Sequence, residues 1–117
     1  MNPAAPATRD EREPQDPAGW NLQKDGDEWN RAHLIAREFG GSSRAENIVP
    51  TTVFANQTLM RSVENEIERR LNAGERVYYQ SVPVYNPDPA LPVGVHMYVA
   101  SSVSPSFSRL IPSGVYR

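Results

Sequence analysis

The sequence predicts a small α+β domain in which one main helix accompanies a small antiparallel sheet. A valine- and tyrosine-rich run at 76–85, followed by alternating apolar residues at 93–99, predicts two neighbouring strands. A chain of 117 residues, of which 38% are hydrophobic, can form one domain with a modest core. The helix is predicted by apolar residues that recur every three or four positions, namely Leu59, Met60, Val63, Ile67 and Leu71.

The first 18 residues are predicted to be a disordered arm or linker. They contain four prolines and mixed charges without a hydrophobic period. The domain is predicted to occupy residues 19–117. It begins with GWNLQKDGDEW at 19–29, where two tryptophans surround a polar turn at Asp25 and Gly26. This composition is typical of a short hairpin or loop packed against a core.

The short apolar segment HLIAREF at 33–39 is compatible with either a helix or a strand, because so brief a run does not fix a period. A Gly-Gly-Ser-Ser run at 40–43 ends it. The main helix is predicted to run from about Thr52 or Gln57 to Asn72, with Gly74 as a left-handed C-cap. The charged side chains from Glu64 onwards are predicted to form its solvated face.

Two strands and a turn are predicted after the helix. Pro83 suggests an edge or an irregularity in the strand at 76–85, and NPDPALP at 86–92 reads as a turn. The strand at 93–100 is predicted to pair antiparallel with the previous one. The serine-rich tail after residue 100 offers four apolar side chains as final core contacts, Leu110, Ile111, Val115 and Tyr116.

Composition excludes several classes of site. Without cysteine the chain can form neither a disulfide nor a thiolate metal site, so a metal would need oxygen or imidazole ligands. No run of 18 apolar residues and no apolar N-terminal segment is present, which predicts neither a membrane span nor a Sec-type signal, and no membrane partner.

The net charge of −2 argues weakly against a nucleic-acid ligand, but the charge is unevenly distributed. Residues 1–30 hold three basic and seven acidic side chains, a net of −4, whereas residues 31–117 hold nine arginines and seven acids, a net of +2. Residues 31–117 are therefore mildly basic. Every cation after Lys24 is an arginine, the side chain best suited to bidentate phosphate contacts.

His33 is the first candidate for chemistry, because histidine commonly accepts a proton near neutral pH. Arg31, Asn47, Asn56 and Glu64 could complete a metal-assisted phosphodiester hydrolase, in which amide and carboxylate oxygens suit a hard cation. Taken singly, each also has a structural explanation: a core or solvated histidine, a turn or cap asparagine, and a solvated glutamate. The second histidine, His96, lies in a predicted strand and is expected to be structural or solvent-facing.

The order of several motifs resembles one family. RAHLIA at 31–36, FGGS at 39–42, ENIVP at 46–50, Asn56 and MRSVENE at 60–66 resemble the DNA/RNA non-specific endonucleases of the ββα-metal, or His-Me finger, class. More narrowly, the chain is similar to the compact version found at the C-termini of bacterial polymorphic toxins, where a stretch like GWNL at 19–22 precedes the histidine motif. The resemblance covers roughly Gly19 to Ala100.

The resemblance implies a ββα-metal core and a role for each candidate. His33 matches the general base, Asn56 the direct ligand of one Mg²⁺, for which Mn²⁺ could substitute, and Glu64 the residue that orients metal-bound water. Asn47 matches a supporting asparagine, and Arg31 the arginine of an Asp-Arg-Gly-His motif. Because eight residues of helix span about 12 Å, Asn56 is expected at or before the helix start, with Asn56 and Glu64 both facing His33.

A further arginine found upstream in larger members has no clear counterpart, and Arg61 and Arg69 are candidates on spacing alone. Asn30 and Ala32 replace the aspartate and glycine of the motif, departures that could reduce activity. The alternative function is therefore a catalytically impaired module that binds nucleic acid or protein.

The resemblance also implies the substrate and the biological setting. It implies cleavage of DNA with little sequence preference, and RNA is a second candidate substrate. The setting it implies is an antibacterial toxin secreted or delivered into target cells by a larger carrier or a secretion apparatus. In the producing cell an immunity protein would be its partner.

Overall fold

Two small antiparallel sheets and one main helix make up the protein, as the predicted α+β class requires. The computed structural model describes residues 10–24, 26–86 and 88–115. The first sheet pairs β1 with β2, and the second has the strand order β3-β4-β5. The elements are β1 (Trp29–His33), β2 (Ile48–Thr52), α1 (Arg61–Asn72), β3 (Val77–Asn86), β4 (Asp88–Ser101) and β5 (Phe107–Pro112).

The first sheet is a hairpin in which Trp29 lies opposite Thr52 and His33 opposite Ile48. His33 ends β1, and the chain then makes a short 3₁₀ turn at Arg37–Phe39 instead of a continuous helix or strand over 33–39. This loop is tightly folded, because a Cβ on Gly41 would overlap the carbonyl oxygen of Ile35. A second 3₁₀ turn at Ala45–Asn47 leads into β2.

The predicted main helix is confirmed, although its first turns are not α-helical. The hydroxyl of Thr52 accepts the backbone N–H of Ala55 at 3.2 Å, as an N-cap does, and a π-helical turn at Ala55–Met60 precedes α1. Gly74 has φ of 84°, the left-handed conformation expected of it. The polar face was predicted wrongly in part, because Glu64 and Arg70 are buried.

The second sheet contains the predicted antiparallel pair, β3 and β4, and a strand that was not predicted, β5. Because β4 begins at Asp88, most of the predicted 86–92 turn is strand. In the tail, Ile111 and Val115 are buried as expected, whereas Leu110 is 62% exposed; Tyr116 is outside the described residues. Ser113 joins the sheets, since its N–H donates to Val93 and its carbonyl accepts from Thr52.

The hydrophobic core lies where the helix packs against both sheets. Met60, Val63 and Ile67 form the buried stripe of the helical segment. The phenol of Tyr79 donates to the carbonyl of Leu34 at 2.7 Å and so ties β3 to the loop after β1. The other buried apolar residues of this core are Ala32, Leu34, Ala36, Phe39, Val49, Ala55, Val77, Val95, Met97, Val99 and Ile111.

The end of the predicted arm, residues 10–17, packs against the loop after β1. Gln15 and Ser43 are joined by a backbone hydrogen bond of 2.8 Å, and the side chain of Gln15 accepts from Ala45. Pro17 is buried. The boundary at residue 18 stays a prediction, and Asp25 of the predicted polar turn lies outside the described residues. None of the helices described is long and apolar enough to cross a membrane.

Candidate functional site

The candidate residues are distributed over the two faces of β1. Side chains alternate along a strand, so Asn30 and Ala32 point to one side and Arg31 and His33 to the other. Ala32 is fully buried in the core beneath the helix, and Asn30 bonds to the side chain of Asn56. The helix side of β1 therefore carries Asn30, and the opposite side carries Arg31 and His33.

Asn56 lies inside the π-helical turn, one residue from its start, so it is not the N-cap of the helix; Thr52 has that position. The side-chain nitrogen of Asn56 donates to Oδ1 of Asn30 at 3.0 Å. The side-chain nitrogen of Gln57 approaches the same oxygen at 3.5 Å. The first helical turn is thus fixed to the middle of β1 through side-chain amides.

The π-helical turn changes how Asn56 and Glu64 relate to each other. In a regular α-helix, residues eight apart differ by about 80° around the axis. A π-helical turn contains more residues than an α-helical turn, so the rotation per residue between Asn56 and Met60 is smaller and the angle that separates Asn56 from Glu64 is expected to be reduced. Irregular turns of this kind occur frequently at functional sites.

Glu64 is buried although it belongs to the charged side of the helix; it is only 8% exposed. Burial raises the pKa of its carboxyl group to about 7, and the neighbouring carboxylate of Glu38 adds to the shift, while Arg61 opposes it. Arg61 donates to Glu38 at 3.0 Å. Of the two further arginine candidates, Arg61 therefore lies near Glu64, whereas Arg69 pairs with Glu66 at 2.6 Å.

His33 is half-buried at the end of β1 and contacts two polar side chains that sequence reasoning did not select. Its Nε2 lies 3.3 Å from Oγ of Ser43 and 3.4 Å from Nε of Arg37. Arg37 follows His33 by four residues, but the period of 33–39 was ambiguous. Ser43 was part of an apparently generic Gly-Ser loop. Neither therefore carried a usable signal.

Asn47 holds the loop that follows His33. Its Oδ1 accepts the N–H of Ile35 at 3.0 Å, and its Nδ2 donates to the carbonyls of Ile35 at 3.0 Å and Ser42 at 2.7 Å. Its backbone carbonyl accepts from Leu34. An amide that satisfies three backbone groups fixes both ends of a loop. These contacts give Asn47 a supporting position and not a direct place in a reaction.

Arg31 is partly exposed and is bound by the N-terminal segment. Its Nε donates to Oδ1 of Asp16 at 2.8 Å, and its guanidinium lies 4.2 Å from the ring centroid of Trp20. The ring of Trp20 in turn makes an edge contact with Trp29. Asp16 and Trp20 therefore hold the guanidinium of Arg31 in one orientation. The N–H groups that bind the carboxylate of Asp16 are also suited to binding a phosphate.

The same segment covers the surroundings of His33. The carbonyl of Arg12 accepts from Oγ of Ser43 at 3.0 Å and from Nη2 of Arg37 at 2.8 Å. The carboxylate of Asp10 accepts the backbone N–H of Ser43 at 2.8 Å. Residues 10–16 thus line the side of β1 that carries Arg31 and His33.

A metal ion at this site would depend mainly on water. Within residues 10–24, 26–86 and 88–115, no three His, Cys, Asp or Glu side chains are grouped so that they could hold a metal. The amide oxygen of Asn56 and the carboxylate of Glu64 are the two oxygen ligands that the sequence predicts. One or two oxygen donors fit a hard cation that keeps most of its water ligands, as Mg²⁺ does.

The arrangement combines a proton acceptor, arginines for an anionic substrate and oxygen donors for a hydrated cation. The structure places Arg31 and His33 on one face of β1. Asn56 contacts Asn30 on the opposite face. That His33, Asn56 and Glu64 act across one gap stays a prediction. His96 lies on β4 opposite Val82 and Leu110, on the side of the sheet away from the core, as expected.

Comparison with known proteins finds a matching family model and similar solved structures. The sequence model for "DNA/RNA non-specific endonuclease" matches residues 1–102. A solved structure described as Sda1 nuclease with bound zinc ion shares 26% identity and a TM-score of 0.62, over 74% of this chain and 40% of that one. The chain thus spans well under half the length of that nuclease. Curated proteins give no match.

Proposed function

The chain belongs to the DNA/RNA non-specific endonuclease family, and from this premise we propose that it is a metal-dependent endonuclease hydrolysing phosphodiester bonds of DNA, with RNA as a second candidate substrate. One observation carries the proposal: His33 ends the first strand of a ββα unit, and Asn56 and the buried Glu64 lie on the helical segment of the same unit. The mildly basic stretch 31–117, in which every cation is an arginine, suits binding to phosphates without reading bases.

His33 is the proposed general base. The acceptor nitrogen of the neutral imidazole takes the proton from the attacking water. In the free chain that nitrogen, Nε2, accepts from Nε of Arg37 at 3.4 Å and lies 3.3 Å from Oγ of Ser43, and the water would replace these contacts. Arg31 binds a phosphate oxygen of the substrate in the place now taken by Asp16, and Arg61 is positioned near Glu64 to contribute further positive charge. Asn47 keeps the loop after His33 in place.

Asn56 would hold the cation directly, and Glu64 would hold it through water. Mg²⁺ is the proposed cofactor and Mn²⁺ an effective substitute, since both accept amide oxygen and water as ligands. When bound, such a cation polarises the phosphate and stabilises charge on the leaving oxygen. The zinc ion of the Sda1 nuclease makes Zn²⁺ the third metal to test.

The proposed setting is antibacterial. Similarity to the compact nuclease domains of polymorphic toxins supports a toxin module that is secreted or delivered into target cells, and a cognate immunity protein in the producing cell. An immunity protein for this domain would need acidic groups to match Arg31 and Arg37. Co-expression with a neighbouring open reading frame that restores growth would test this part of the proposal.

The proposed activity is tested with the purified chain on supercoiled plasmid and on total RNA. We expect cleavage with Mg²⁺ or Mn²⁺ that EDTA abolishes and excess metal restores. Zn²⁺ is assayed in parallel at matched free concentrations. A folded protein that cuts neither substrate with any of the three metals would contradict the proposed function.

Releasing Arg31 from Asp16 is expected to strengthen substrate binding modestly. Because this ion pair is largely exposed, Asp16→Asn should lower the KM for DNA only about two- to fivefold at low salt, with kcat unchanged. The effect should fade above about 0.5 M salt, where the Debye length is only a few ångströms. Glu13→Gln, an equal charge change at an exposed position of the same segment, is the control. Equal effects of both variants would refute a specific role for Asp16.

A further inference from the structure

Oδ1 of Asn30 is the meeting point of two side-chain amides from the helix. The nitrogen of Asn56 donates to it at 3.0 Å, and that of Gln57 approaches at 3.5 Å. The motif that this segment resembles has an aspartate here, so Asn30 lacks the negative charge of that residue. The structure gives the residue a specific contact instead, and that contact involves the proposed metal ligand.

The contact decides which way the amide of Asn56 faces. A side-chain amide has one oxygen and one nitrogen, and only the oxygen can bind a hard cation. A half-turn of the amide would exchange the two atoms and place two oxygens, those of Asn30 and Asn56, against each other. The hydrogen bond to Asn30 therefore favours the rotamer in which Oδ1 of Asn56 is directed away from β1.

Both partners lie in hydrogen-bonded secondary structure. Asn30 lies within β1, opposite Thr51 of β2, and its neighbour Ala32 is fully buried. Asn56 lies in the π-helical turn between the buried residues Ala55 and Met60. Gln57 adds a second donor that requires the oxygen of Asn30 to face the helix, so the orientation of Asn30 is itself held.

We propose that Asn30 is a positioning residue whose Oδ1 holds the amide of Asn56 so that the oxygen of Asn56 is presented to a divalent cation. This inference rests on the proposed function, because it assumes that Asn56 is a metal ligand. An aspartate at position 30 would accept the same hydrogen bonds, so the neutral asparagine retains the orienting role without the charge.

The test measures binding of Mn²⁺ to the full chain without nucleic acid, by the electron paramagnetic resonance signal of the free ion. Asn30→Leu removes the acceptor oxygen but keeps the side-chain volume, and Asn30→Ala removes both. Asn30→Asp keeps the acceptor oxygen. We expect the first two to weaken Mn²⁺ binding about 10-fold or more, as loss of an orienting partner does. Asn30→Asp should bind at least as tightly as wild type. Asn65→Leu, at an exposed helix position, is the matched control and should change nothing.

Asn56→Ala separates this inference from the proposed function. If Asn56→Ala abolishes Mn²⁺ binding while both acceptor-free variants, folded by circular dichroism, bind as wild type does, the positioning role is wrong and the nuclease proposal stands. If wild type binds no divalent cation, the proposed function fails and the inference fails with it. Tenfold weaker binding in both acceptor-free variants, with wild-type binding in Asn30→Asp, supports the inference, because Asn30→Leu keeps the side-chain volume and loses only the acceptor.

Discussion

His33→Ala is expected to lower the rate of DNA cleavage by at least about 100-fold at neutral pH, because a general base typically contributes 10²- to 10⁴-fold. His33 is half-buried at the end of β1 and does not belong to the hydrophobic core, so the variant should fold. The loss should appear in kcat and not in KM, since the imidazole acts on the attacking water and not on substrate binding. Plasmid nicking under saturating Mg²⁺ measures it.

His96→Ala is the matched control, because His96 is the other histidine of the chain and lies on the outer side of the second sheet. It should cleave DNA at the wild-type rate. Addition of imidazole to His33→Ala should restore part of the activity if only the proton acceptor is missing. Full activity of His33→Ala, or an equal loss in both variants, would exclude His33 as the base.

Local patterns were sufficient to predict the main helix and the central strand pair. The spacing of Met60, Val63 and Ile67 gave the buried face, and Gly74 gave the C-terminal end, because both signals act over a few residues. β5 escaped prediction because its exposed and polar side chains show no clear period, and it is held by pairing with β4. The loop after β1 likewise depends on distant contacts, chiefly those of Asn47.

For the candidate site, too, sequence patterns predicted some features, while others depend on structure that they do not encode. The order and spacing of the motifs selected His33, Asn56 and Glu64, but the π-helical turn that contains Asn56 has no simple sequence signal. The contact between Asp16 and Arg31 joins residues 15 apart in the chain, and composition alone indicated a disordered arm there. Glu64 also interacts with Glu38, a residue of the loop after β1 that is distant in sequence, and local periodicity does not encode such a contact.

Glu64→Gln is expected to stabilise the fold at alkaline pH and to lower cleavage. The pKa of Glu64 is raised from 4.5 to about 7, so between those values the native state binds more protons than the unfolded chain. The free energy of unfolding must therefore fall as pH rises through this window, by up to about 3 kcal/mol at 1.36 kcal/mol per pKa unit. Glutamine cannot ionise and escapes this cost, but it cannot supply the carboxylate proposed to hold metal-bound water.

Urea unfolding in EDTA at pH 4 and pH 8.5 measures the predicted difference. At pH 4 the carboxyl group is protonated in the native state, so Glu64→Gln and wild type should be almost equally stable. At pH 8.5 the variant should be more stable by up to about 3 kcal/mol, with an unchanged m-value. Glu68→Gln, at an exposed position of the same helix, should show no such pH-dependent gain. A constant difference at both pH values would mean that Glu64 ionises normally. The stability gain would then have to come from packing. A gain confined to high pH would show that ionisation of the buried Glu64 destabilises the native state, although the proposed activity requires this residue.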